Sequence, residues 1–205
     1  MLDNSIQRLM SNLGRRNIDA YYFENIEQAK DKVVEMIPLD STVGIGNSQT
    51  LINMNISKIL SERGNIVFDK TMAATKEEIK EQKKKALLSD WYITGTNAIS
   101  AEGQLVNIDH SGNRVAAMLY GPEKVIVVIG TNKIVNTLDE AVKRVRNISA
   151  PANAKRAGLN PPCVELRKCV DCQSPERACY NFVIIEGQAV KGRMTVFIVN
   201  ENLGF

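Results

Sequence analysis

Thr42-Val43-Gly44-Ile45-Gly46-Asn47-Ser48-Gln49-Thr50 is the stretch on which the fold turns. Its first four residues make a short apolar strand. The glycine-rich turn that follows runs into residues 51–60, whose apolar spacing is helical until Gly64 offers a stop. Strand, glycine turn and helix make the repeating unit of an open α/β sheet.

The same unit recurs on both sides. Upstream, Ile6, Leu9, Met10 and Leu13 keep helical spacing up to Gly14, and residues 18–23 read as a strand. Asn25 with Gln28 three residues on resembles a capping box opening a helix through Ala29, Val33 and Ile37 to the stop at Pro38. Downstream, residues 65–68 and 90–94 read as strands around a helix over 76–88 capped by Thr75 with Glu78. Residues 125–129 are a fully apolar, β-branched run suited to a central strand, 138–145 a helix, and 194–199 the last strand. Parallel strands need such crossover helices, so the pattern predicts an α/β, Rossmann-like three-layer domain with a mostly parallel sheet. Residues 104–108 and 114–120 are both strand-like, and Asp109-His110-Ser111-Gly112 between them has the composition of a hairpin turn, which predicts a small antiparallel ribbon. No repeat, linker or low-complexity segment divides residues 1–205, so a single domain is expected.

The 26 basic and 23 acidic residues leave a net charge of +3. They are interspersed apart from Lys83-Lys84-Lys85, which shares a helix with Glu77, Glu78 and Glu81 and reads as a solvated face rather than a phosphate-binding patch. No basic stripe points to nucleic acid. Residues 1–14 contain Asp3, Asn4 and Arg8 and lack the apolar core of a signal peptide, and no run approaches the roughly 18 apolar residues of a membrane span. A cytoplasmic location is the expectation.

In that reducing compartment cysteines suggest metal before disulfide. Cys163, Cys169, Cys172 and Cys179 are the chain's four cysteines, and all fall in the proline-containing segment 161–180. Four thiolates can close a tetrahedral zinc shell or hold the corners of a cubane cluster, and Cys169-Val170-Asp171-Cys172 is a two-residue chelate loop. The uneven outer spacings suit a 4Fe-4S cluster somewhat better than zinc. Zinc and a redox dithiol stay open. Arg167, Lys168 and Arg177 would offset thiolate charge.

In open parallel sheets ligands bind beyond the carboxyl ends of the strands. Three loops there are polar and contain glycine: Gly46, Asn47, Ser48 and Thr50 in the first, Gly95, Thr96 and Asn97 in the second, and Gly130, Asn132 and Lys133 in the third. The first matches neither the dinucleotide fingerprint nor the P-loop but can meet an anion with backbone N–H groups and hydroxyls, a plain cap by Ser48 being the alternative. Asn113 and Arg114 follow the expected hairpin turn. Glu102 and Lys133 are the candidates for acid–base or nucleophilic work. Turn chemistry accounts for Asp109, an exposed turn for His110, the single histidine, and the core for Trp91.

Several runs together resemble the lactate-utilisation (LUD) domain family: Thr94-Gly95-Thr96-Asn97-Ala98-Ile99-Ser100, Gly112-Asn113-Arg114-Val115-Ala116-Ala117, Gly121-Pro122, Gly130-Thr131-Asn132-Lys133-Ile134-Val135, the Cys169-to-Cys179 segment and Leu203-Gly204-Phe205. The resemblance implies a fold similar to the sugar-phosphate isomerase and CoA-transferase group, whose ligands commonly carry phosphate or carboxylate and bind at the loops matched here by Gly46 to Thr50, Gly95 to Asn97 and Gly130 to Lys133. It also implies a likeness to subunits of an iron–sulfur complex that oxidises L-lactate to pyruvate, with oxidoreductase subunits as partners. Glu102-Gly103 loosely matches the glutamate loop of CoA-transferase catalysis. The expected functions are therefore a redox subunit with a cluster and a small-acid pocket, a non-redox isomerase or transferase acting on a phosphorylated or CoA-linked acid with structural zinc, or a ligand-binding scaffold. The expected partner is a small anionic metabolite, and a homo-oligomer is compatible with all three.

Overall fold

The computed structural model describes residues 3–205, so the first two residues of the N-terminal stretch lie outside the description. In chain order the elements are α1 (Asn4–Arg15), β1 (Ile18–Phe23), α2 (Ile26–Met36), β2 (Thr42–Ile45), α3 (Gln49–Met54), α4 (Ile56–Arg63), β3 (Ile66–Phe68), α5 (Lys76–Ala86), β4 (Trp91–Thr94), β5 (Ala98–Ser100), β6 (Leu105–Asp109), α6 (Asn113–Leu119), β7 (Lys124–Gly130), β8 (Ile134–Val135), α7 (Leu138–Arg144), α8 (Ala150–Arg156), α9 (Pro162–Leu166), β9 (Asn181–Ile185) and β10 (Met194–Val199).

Six strands form one sheet in the order β1-β10-β7-β4-β2-β3, and every pairing in it is parallel. The α/β Rossmann-like class is therefore borne out. Helices cover both faces because the sheet is apolar on both. Ile18, Tyr92, Val125, Val127 and Ile198 pack with Leu9 and Leu13 of α1 on one side, while Val43, Ile93, Val128 and Phe197 pack with Val33 of α2 and Leu60 of α4 on the other. Fully buried side chains such as Phe197 and Leu9 each contribute about 1.5–3 kcal/mol of transfer free energy. Trp91 packs against the second of these clusters, as expected of a core residue.

The caps follow the sequence closely. Asn25 accepts from Gln28 N–H, and Thr75 with Glu78 forms a complete capping box. Residues 51–60 depart from one continuous helix: Asn55 takes a left-handed conformation at φ 53° and separates α3 from α4. Residues 145–149 form a π-helical turn between α7 and α8, just ahead of Pro151, which has no N–H to donate.

The ribbon exists with other partners than expected. Residues 114–119 belong to helix α6, which starts from Gly112 at φ +80°, and Tyr120 is its extended C-cap. The antiparallel partners of β6 are β5 and β9, and β8 completes a four-stranded second sheet, β8-β5-β6-β9. A seven-residue apolar run carries too little period to separate strand from helix, and the two alanines favour helix. Among the described residues no helix is long and apolar enough to cross a membrane.

Candidate functional site

The loops after β2, β4 and β7 meet side by side, because those strands are neighbours in the sheet. Their glycines serve first to let the backbones approach. A Cβ on Gly46 would stand 2.5 Å from Thr94 Oγ1, one on Gly95 2.8 Å from Ser48 Oγ, and one on Gly130 2.3 Å from the Glu201 carbonyl oxygen. Above them opens a cavity of about 320 Å³. Asn47, Ser48, Gly95, Thr96, Asn97, Asn113, Arg114 and Lys133 all line it, so most of the expected binding residues come together.

Their roles differ from simple ligand contact. Arg114 spends its guanidinium on protein: it donates to the Gly95 and Ile108 carbonyls, to Asn107 Oδ1 and Asn97 Oδ1, and to Asp109 Oδ1. Asn97 Oδ1 also accepts from Ile108 N–H, and Thr96 donates to Asn107 Oδ1. Asn132 Oδ1 accepts from Leu203 N–H and pins the segment after β10 beside the third loop. Ser48 stands at the N-cap of α3 without a side-chain cap bond, so plain capping does not account for it. Arg144 is buried and donates to the carbonyls of Asn132 and Asn97, which locks the second and third loops together.

Lys133 is different. Its side chain lines the cavity at 4% exposure and makes no hydrogen bond or ion pair among the described residues. Burial, then Arg144 and Arg114, lower its pKa from the ordinary 10.5 to about 7. Beside it Thr50 is fully buried, and its Oγ1 has no partner.

Three further cations stand in the wall: Lys70 and Arg156, which the sequence did not single out, and Lys83, which it placed on a solvated face. Lys83 donates to Ser111 Oγ, and Arg156 donates to Asn47 Oδ1 and Asn153 Oδ1. Burial lowers the pKa of Lys70, with Lys83 and Arg156 adding to the effect. These residues come from distant parts of the chain and form no motif. Asp109 is the carboxylate of the wall, with Arg114 at 3.4 Å, and the exposed His110 lines the rim with its ring edge-on to Tyr180.

Glu102 lies elsewhere. It is exposed, its carbonyl accepts from Arg16 Nε, and it borders a hollow with Arg8 and Arg15 of α1. The structure does not bring it to the cavity.

The four cysteines are free and half-buried. The Cys163 thiol is pushed up by burial and then by Cys172, Cys179 and Cys169, which places all four in one electrostatic neighbourhood. Asp171 N–H donates to Cys169 Sγ at 3.4 Å, and Arg177 donates to the Cys179 carbonyl. In kind and number these donors fit a tetrathiolate site. As placed, no three His, Cys, Asp or Glu side chains among the described residues form a group that could hold an ion. The segment reaches the cavity: Ala178, next to Cys179, is part of the wall.

The chain is thus an α/β domain whose open parallel sheet carries a basic cavity over the ends of its central strands. A family model, the LUD domain, matches residues 6–199, and the chain belongs to that family. Among solved structures it is similar to a DUF162 family protein from Deinococcus radiodurans, at 17% identity and a TM-score of 0.54, covering 98% of this chain and 100% of that one. Partial likenesses are to ribose 5 phosphate isomerase A from Neisseria gonorrhoeae (20% identity, TM-score 0.36, covering 55% of this chain and 54% of that one) and to eIF2B delta from Chaetomium thermophilum (16%, 0.38, 58% and 50%). No curated protein matches.

Proposed function

We propose that this LUD-family chain binds a small metabolite bearing a carboxylate or phosphate in the strand-end cavity, with Lys133 moving a proton there. The observation that carries the reading is the buried, unpartnered Lys133 in a wall that also holds Lys70, Lys83 and Arg156. An anion would supply the charge those cations lack, and a lysine near neutrality can both give and take a proton at physiological pH. The class is that of a non-redox isomerase- or transferase-type enzyme. Thermal-shift measurements with sulfate, hydroxy-acids, sugar phosphates and acyl-CoAs test it: stabilisation by small anions that is reduced in Lys133→Met supports it, and no stabilisation by any anion refutes it.

One observation favours a second reading, a subunit of iron–sulfur L-lactate oxidation. The cysteine segment adjoins the cavity at Ala178. Cys163, Cys169, Cys172 and Cys179 would then hold a cluster that passes electrons, or a zinc ion that staples the segment, with oxidoreductase subunits as partners in the first case. Iron, sulfide and zinc analysis after anaerobic purification separates these. Zinc alone at one per chain eliminates the redox reading, and iron with sulfide eliminates the staple.

A further inference from the structure

Lys133 has the surroundings of a nucleophile. An ordinary lysine is a cation held by carboxylates or water. Here the groups that press on the Nζ are Arg144 and Arg114, and the carboxylate of the wall, Asp109, acts on Lys70 instead. Nothing holds the proton on Lys133, and the amine faces an open cavity.

A second group converges on the same point. Gly204 takes φ +62°, and a methyl group on it would stand 3.3 Å from Thr50 Oγ1 and 3.4 Å from Lys133 Nζ. Thr50 Oγ1 is buried without a hydrogen-bond partner, a cost that a bound molecule reaching it would relieve. An amine and an unsatisfied hydroxyl thus stand over one glycine, with Lys70 and Arg156 elsewhere in the wall for an anionic group.

We propose that Lys133 forms an imine with a small aldehyde or ketone that carries an anionic group. This deepens the anion-binding reading and rests on it. The Lys133 nitrogen lone pair bonds to the carbonyl carbon, and the π pair moves to the oxygen, which takes a proton while Thr50 Oγ1 hydrogen-bonds to it. The oxygen's proton is one of the two amine protons; the nitrogen gives up the second as the carbinolamine hydroxyl is protonated and leaves as water. One water is released for each C=N bond formed, and no oxidant or reductant is consumed.

The test is reductive trapping. The full chain is incubated with glyoxylate or dihydroxyacetone phosphate, reduced with borohydride, weighed intact and mapped by peptide mass. The expected result is one adduct per chain on the peptide holding Lys133, formed faster from pH 6 to about 7.5 and level above. Sulfate should compete, Lys133→Arg should be unlabelled, and Thr50→Val should label at least tenfold more slowly while still binding sulfate. Labelling spread over many lysines and unchanged in Lys133→Arg overturns the proposal. If sulfate stabilises the fold but Lys133 stays unlabelled, the imine falls and the anion pocket stands. If sulfate has no effect and no label forms, both fall.

Discussion

Arg114 Nη1 donates to Asn107 Oδ1 at 2.6 Å, and with that bond and four others all five guanidinium N–H donors are engaged by protein acceptors. The residue resembles a ligand clamp in sequence and acts as the frame of the β4 loop in the fold. Lysine has three donors and no planar fork, so Arg114→Lys leaves at least two of these five bonds unmade. It should cost about 2–4 kcal/mol in urea denaturation. A loss under about 1 kcal/mol would show that the frame is redundant.

Lys133 sets a second expectation, on stability against pH. Its folded value, about 7, lies below the ordinary 10.5, so between these values the unfolded chain binds more protons than the folded one. Stability of the unliganded protein therefore rises with pH from about 7 toward 10.5, and the penalty is complete below about 7. Lys133→Met removes that penalty. At pH 7 the variant should be more stable by about 1–4 kcal/mol, and the gap should close as the pH approaches 10. An equal or lower melting temperature for the variant across this range contradicts the assigned burial.

Ligand binding should run the other way. A bound anion favours the charged lysine, so affinity is level below about pH 7 and falls above it as binding has to take up a proton. Sulfate keeps its charge over this range and isolates the protein's contribution. Titration calorimetry should give up to about tenfold weaker binding per pH unit above neutrality. In Lys133→Met the binding should be weaker and nearly independent of pH; a pH slope that survives the substitution assigns it to Lys70 or another group.

Glu102 supplies the negative control. Its carboxylate has Gln104 Nε2 at 3.5 Å as a marginal contact, and its place is beside α1, away from the cavity. Glu102→Gln should leave sulfate affinity and imine trapping unchanged and shift stability by less than about 0.5 kcal/mol. A loss of function in this variant would restore the glutamate-loop chemistry expected from the sequence.

Much of the fold was legible because it rests on local rules. Apolar runs at 18–23, 42–45, 125–129 and 194–199 are strands of the parallel sheet, and the caps at Asn25 and Thr75 stand where Gln28 and Glu78 suggested them. The errors fell where local preference is weak. Residues 114–120 are too short to show a period; the edge strand β9 is a different omission, since its Asn181-Phe182-Val183-Ile184-Ile185 run is apolar and β-prone and pairs with β6. The three glycine loops were recognisable as a site, yet the duties of Arg114, Asn97 and Asn132 were not, since their partners lie in other segments.

The sequence by itself determined the layering, the family and the set of loops at the strand ends, since period, capping and glycine placement are written in consecutive residues. Only the tertiary structure decided which charges share the cavity. Lys70 follows β3, Lys83 is on α5, Lys133 follows β7 and Arg156 ends α8, and only the packing of these elements brings them to one cavity. Burial among Arg144 and Arg114 then makes Lys133 a near-neutral amine. Desolvation and mutual repulsion depend on distances in space, and no stretch of residues read in order contains them.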